Sequence, residues 1–179
     1  MRKVTFGGAV SLDNFFAGPN GEMDWLLWCD EAAAVMNAYW PKIDTLLMGR
    51  KTWEVAMQNA TPQEDTAGDE SGIKTYVFSR TLDPADVKGA QLVSENAGEI
   101  VKKLKQEEGK EICLMGGGDL ARSLFQAGVI DEIGLNVHPV MLGSGVPIFH
   151  PMNRRIGLEL LESTPFENGC VYSLYRVIY

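Results

Sequence analysis

Residues 46–54 read LLMGRKTWE and residues 113–120 read CLMGGGDL. The two stretches share one grammar. An apolar run of strand length ends on glycine, and residues able to open a helix follow. In a parallel sheet both junctions fall on the carboxyl edge, where open α/β folds bind their ligands. A helix N-terminus presents unpaired N–H groups and partial positive charge, which suit a phosphate, and glycine lets the backbone come close to it. Two such junctions can grip a pyrophosphate from two sides. Singly, each has a plainer explanation: Arg50 and Lys51 as solvated charges, and the triple glycine as turn geometry.

Working outward, strands and helices alternate. Residues 3–11, KVTFGGAVS, form a first strand interrupted by Gly7 and Gly8, and Gly18-Pro19-Asn20-Gly21 breaks the chain after it. A helix over 30–40, with Asp30 able to cap it, ends before Pro41. The pattern predicts strands over 43–48, 75–79, 91–94 and 111–115, and helices after Gly49, over 97–107 and over 120–127. A long strand is expected over 132–141. Two alternating strands, 158–163 and 170–178, flank the hairpin signal Asn168-Gly169. Residues 58–72 are polar, acidic and without periodicity, and read as a surface loop. The expected fold is α/β: a mostly parallel central sheet with helices on both faces and an antiparallel C-terminal hairpin, in a single domain over 1–179.

Composition narrows the function. The 179 residues carry a formal net charge of −8 and a pI near 4.8, which repels nucleic-acid backbones and anionic membranes. Cys29, Cys113 and Cys170 are too few and too scattered for a disulfide framework or a zinc site, and Cys113 reads as a small buried hydrophobe. With neither a signal peptide nor a membrane span in view, a cytoplasmic location is the expectation. In an acidic protein, an anion needs a local basic site. Ser79-Arg80-Thr81 ends a third strand at the same edge as Arg50 and Lys51. A guanidinium there matches a phosphate monoester, such as the 2′-phosphate that separates NADPH from NADH.

These segments together resemble the dihydrofolate reductase-like superfamily, nearest the branch that holds the reductase domain of bacterial riboflavin biosynthesis, the RibD C-terminal domain. The resemblance covers nearly the whole chain: AVSLDN at 9–14, GRKTWE at 49–54, VFSRT at 77–81, MGGGDLARSLF at 115–125 and DEIGLNVHPVMLGSGVPIF at 131–149. It implies a three-layer α/β/α sandwich, bound NADPH, hydride transfer to a small heterocycle such as a pteridine or a ribosylaminopyrimidine, and a homodimer. By position it implies that Gly49, Arg50, Lys51 and Thr52 hold phosphates, that Ser79 and Arg80 flank the 2′-phosphate, and that Gly116, Gly117, Gly118, Asp119 and Leu120 wrap the pyrophosphate and nicotinamide side. Ala9 would line the nicotinamide pocket.

The proton donor is less determined. Asp30, five residues after Trp25, matches the family's tryptophan–acid spacing, and burial of a carboxyl group would favour its protonated form. A plain helix cap is the competing role for Asp30; Glu31 and Asp13 are alternatives, with Asp13 better read as a turn residue. His138 also stands as a substrate contact or an ordinary strand histidine. The chain departs from true dihydrofolate reductases in having no arginine between Arg50 and Arg80 to hold a folate tail. A phosphorylated substrate would have only Lys74, Arg154 and Arg155 to turn to. A non-catalytic NADPH-binding module and a degenerate interaction protein are the competing functions.

Overall fold

The computed structural model describes residues 1–59 and 72–179. Its strands are β1 (Val4–Ser11), β2 (Phe15–Ala17), β3 (Ile43–Gly49), β4 (Lys74–Phe78), β5 (Gln91–Val93), β6 (Glu111–Met115), β7 (Glu132–His138), β8 (Val146–Pro147), β9 (Gly157–Pro165) and β10 (Val171–Ile178). Its α-helices are α1 (Asp30–Tyr39), α2 (Arg50–Asn59), α3 (Ala97–Gln106) and α4 (Gly118–Gln126). Among the described residues the main sheet has eight strands in the order β5-β4-β3-β6-β1-β7-β10-β9. Pairing is parallel from β5 through β7 and antiparallel for β10 with β7 and β9. The expected architecture therefore stands.

The sheet's period of two sorts its side chains into layers. Val4, Phe6 and Val10 of β1, Leu47 of β3, Ile112 and Leu114 of β6 and Ile133 and Leu135 of β7 join one cluster with Val101 and Leu104 of α3 and Leu124 and Phe125 of α4. Leu46, Met48 and Val77 join a second cluster with Trp53 of α2, against which Tyr39 and Trp40 pack. Helices thus cover both faces, as the sequence pattern requires. Each large apolar side chain buried in these layers contributes about 1.5–3 kcal/mol.

Two buried cations pin strand starts. Arg2 bonds Asp44, the Thr45 hydroxyl at 2.6 Å and the Lys110 carbonyl at 2.6 Å. Lys105 Nζ lies 2.5 Å from Asp131, whose carboxylate also accepts from the Val4 amide at 2.8 Å. Paired and hydrogen-bonded in this way, these charges escape the cost of burial.

Departures from expectation at β7, α4 and α1 each have a local reason. β7 stops at His138 because Pro139 has no N–H to offer; the Val140 amide turns back to the His138 carbonyl at 2.8 Å. α4 begins two residues early because Gly116 and Gly117, with φ of 63° and 78°, make the turn in the left-handed region. The helix cap of α1 is Cys29, whose sulfur accepts from the Ala32 amide at 3.4 Å, and Asp30 is the first helical residue instead. The loop expected over 58–72 lies outside the described residues for 60–71, while Gln58 and Asn59 close α2.

Candidate active site

β3 and β6 are adjacent parallel strands, so their carboxyl ends bring the two glycine junctions together. A Cβ built on Gly117 would lie 3.6 Å from the Gly49 nitrogen and 3.7 Å from Thr52 Oγ1, and one on Gly116 would lie 3.2 Å from Thr52 Oγ1. The missing side chains leave a cradle walled by the Gly49 and Gly117 backbone, Thr52 and the Leu120 Cβ, where β3 and β6 run into α2 and α4. This is the donor set that suits a pyrophosphate. Asp119 stands exposed in the first turn of α4, its carboxylate 3.2 Å from Arg122 and 3.8 Å from the His150 ring. Leu120 sends its side chain into the core, leaving its backbone at the turn.

The third strand end joins the same edge. Arg50 donates to Thr81 Oγ1 at 3.3 Å and lies 3.7 Å from Glu54, so α2 is tied to the turn after β4. Ser79 Oγ accepts from the Thr81 and Leu82 amides at 3.1 and 3.0 Å, which fixes that turn. Ser79 and the exposed Arg80 line a groove of about 610 Å³ with Ser94, Asn96, Lys102 and Ser123. Lys51 is exposed beside Arg50. The sequence reading named Ser79 and Arg80 but missed the β5–α3 side of this groove, because Ser94 and Asn96 carry no motif.

On the opposite face of β1, β6 and β7 lies a second cavity, of about 530 Å³, roofed by α1 and the segment leading into it. Its floor comes from strand alternation: Thr5, Gly7 and Ala9 on β1, Cys113 and Met115 on β6, Gly134 and Asn136 on β7. The register pairs Gly7 with Gly134 and Ala9 with Asn136. Ala9 and Met115 thus belong to this cavity, while the cradle begins one residue beyond Met115. A Cβ on Gly7 would sit 1.7 Å from the Gly134 carbonyl oxygen, so glycine is required there. Little in the sequence flagged this chamber beyond the small residues at every second position of TFGGA.

His138 is buried at the cavity's edge. Its Nδ1 accepts from the Leu27 amide at 3.2 Å and lies 3.3 Å from the Cys170 sulfur; Nε2 is 3.4 Å from Asn136 Nδ2, and Trp25 packs edge-on over the ring. Burial pushes the imidazole below its ordinary pKa. Burial likewise raises the Cys113 thiol to about 11 and drives the Tyr39 phenol well above its usual value. Cys113 is half-buried and lines the cavity, rather than being a sealed core residue.

The acid candidates fall elsewhere. Asp30 is exposed on the first turn of α1 and is not among the residues that line the cavity, so its carboxylate is not positioned to hand a proton inward. Glu31 accepts from the Glu167 amide at 3.1 Å, which ties α1 to the C-terminal hairpin. Asp13 is the turn residue its sequence context suggested: it takes the Leu142 and Gly143 amides at 3.1 and 2.7 Å. The Ser11 hydroxyl at 2.7 Å, chiefly, holds its pKa low. Of the cations proposed for a substrate phosphate, Arg154 is committed to the Phe125 carbonyl at 2.8 Å and the Tyr179 ring. Lys74 starts β4, at the other end of the strand from the cradle.

Comparison with known proteins agrees with this fold. Residues 2–172 match the family model described as the RibD C-terminal domain. The uncharacterized protein YyaP of Bacillus subtilis (strain 168) is 35% identical, over 98% of this chain and 95% of its own length. The crystal structure of a Shewanella sp. PV-4 protein provisionally assigned to riboflavin biosynthesis superposes with a TM-score of 0.82 at 22% identity, covering 100% of both chains. A diaminohydroxyphosphoribosylaminopyrimidine deaminase/5-amino-6-(5-phosphoribosylamino)uracil reductase of Thermotoga maritima superposes with a TM-score of 0.70 at 14% identity, over 99% of this chain and 57% of that one. At these identities the two structures speak for the fold.

Proposed function

The chain belongs to the RibD C-terminal domain family, and from that premise we propose that it is an NADPH-dependent reductase of a small heterocyclic or carbonyl compound. The observation that carries the reading is the meeting of the Gly49 and Gly117 turns, where a Cβ on either would approach the other's backbone. That cradle fits a dinucleotide pyrophosphate, with Gly49, Thr52, Gly116, Gly117 and Gly118 around it and the amides of residues 50–52 and 119–120 as donors. Ser79 and Arg80 take the 2′-phosphate; Arg50 and Lys51 supply further positive charge at the same edge. Ala9 stands at the nicotinamide side of the apolar cavity.

A nicotinamide cofactor bound there supplies hydride to the substrate. The chain's own work is to hold both partners and to keep water out, which its apolar walls do. No aspartate or glutamate lines the cavity among the described residues, and burial keeps His138 uncharged, so the accompanying proton comes from solvent and Asp30→Asn leaves turnover intact. The same lack of an acid favours a second reading, a binding module with the cofactor cleft and no catalysis. We also take the protein to be a homodimer, since β9 is an edge strand exposed along its whole length with Leu158, Leu160 and Leu161 on it.

Tryptophan fluorescence during NADPH and NADH titration tests the cofactor assignment. NADPH binds more tightly, and Arg80→Ala removes about tenfold or more of that preference, because a hydrogen bond to a charged group is worth about 1.5–3 kcal/mol. Equal affinity for both nucleotides in the parent protein would refute it. Oxidation of NADPH across a substrate panel separates the enzyme from the binding module.

A further inference from the structure

The two recesses differ in kind. The groove beside Ser79 and Arg80 is lined by Arg80, Glu95, Glu99 and Lys102. Among the described residues, no aspartate, glutamate, lysine or arginine lines the cavity over β1, β6 and β7. Nor can residues 60–71 bring a cation to it, since their sequence holds Glu64, Asp65, Asp69 and Glu70 and neither lysine nor arginine. A phosphate or carboxylate buried there would lose its water with no opposite charge in return, an arrangement that proteins avoid.

What the cavity does offer is flat apolar surface with a few polar points. Tyr39, Trp40, Phe166 and Tyr172 stand on its walls, and Gly7 and Gly134 leave its floor without side chains. Aromatic walls over a bare floor suit a planar ring. The Tyr39 hydroxyl meets Thr5 and Cys113 under the floor, and Asn136 brings a partly exposed side-chain amide to the cavity. A side-chain amide can both donate and accept, so Asn136 is where the polar edge of a ring belongs in this otherwise apolar recess. His138 adds a ring that burial keeps uncharged at neutral pH.

We propose that this cavity takes a flat, uncharged ring compound without phosphate or carboxylate, its polar edge met by Asn136. The proposal rests on the reductase reading only in treating the cavity as the substrate's side. It sets the chain apart from a reductase of phosphorylated ribosylaminopyrimidines, whose substrate would need a cation that these walls lack.

Calorimetric titration with quinoxalin-2-one and with its 6-carboxylate tests the proposal. The neutral ring binds at least tenfold more tightly than the carboxylate. Asn136→Leu weakens the neutral ring about tenfold. Met36→Lys, which puts a cation on the half-exposed rim of the same cavity, raises carboxylate binding about tenfold, and as a surface substitution it keeps the fold. Equal or tighter binding of the carboxylate by the parent protein, or no gain from Met36→Lys, overturns the proposal. NADPH is titrated into the same samples. A protein that binds NADPH yet prefers the carboxylate refutes this inference and spares the reductase reading; one that binds the neutral ring but not NADPH does the reverse.

Discussion

Gly117 carries more of the account than any other single residue. It caps α4 with φ of 78°, in a region that costs an L-residue about 1–2 kcal/mol, and it faces the Gly49 backbone. Gly117→Ala therefore lowers stability by about that amount, readable by urea unfolding, and weakens NADPH binding more than it weakens the fold. Asp30 is the opposite case. Its spacing from Trp25 points to an acid in the pocket, yet the helix turns that carboxylate to solvent. Spacing fixes a residue's place along a helix but not the rotation of that helix over the sheet, which depends on packing partners far off in the chain. For that reason the meeting of the two glycine junctions was legible from two local strings, and the lining of the cavity was not.

At the level of elements, the segment before α1 is held over the cavity by borrowed contacts. Leu27 donates its amide to His138 on β7, and its carbonyl accepts from Asn168 in the last hairpin at 3.2 Å. A protonated imidazole cannot accept the Leu27 bond. Because burial keeps His138 neutral in the folded state, the unfolded chain takes up the proton first as pH falls below about 6.5. Stability is thus whole above that pH and declines below it. Urea midpoints drop between pH 7.5 and 5.5, and His138→Gln flattens that slope. The lowered carboxylates Asp13, Glu22, Glu31 and Asp44 add their own loss only nearer pH 4. Strand and helix order was readable because hydrophobic period and glycine stops agreed along most of the chain. The small sheet of β2 and β8 was not, since three residues against two give no periodic signal.

Across the whole molecule, sheet order converts local motifs into one site. The parallel run from β5 to β7 puts the ends of β3, β4 and β6 along a single edge, while the C-terminal hairpin leaves β9 as a long exposed margin. Light scattering after gel filtration reads about twice the 19.7 kDa chain mass, and Leu160→Arg on that margin returns it to one chain. The central claim is that two strand ends act on one dinucleotide. Hydrogen–deuterium exchange with and without NADPH measures it directly: amides of residues 49–53 and 116–120 gain protection together and over the same range of nucleotide concentration. Protection at only one junction, or at neither, would contradict the account.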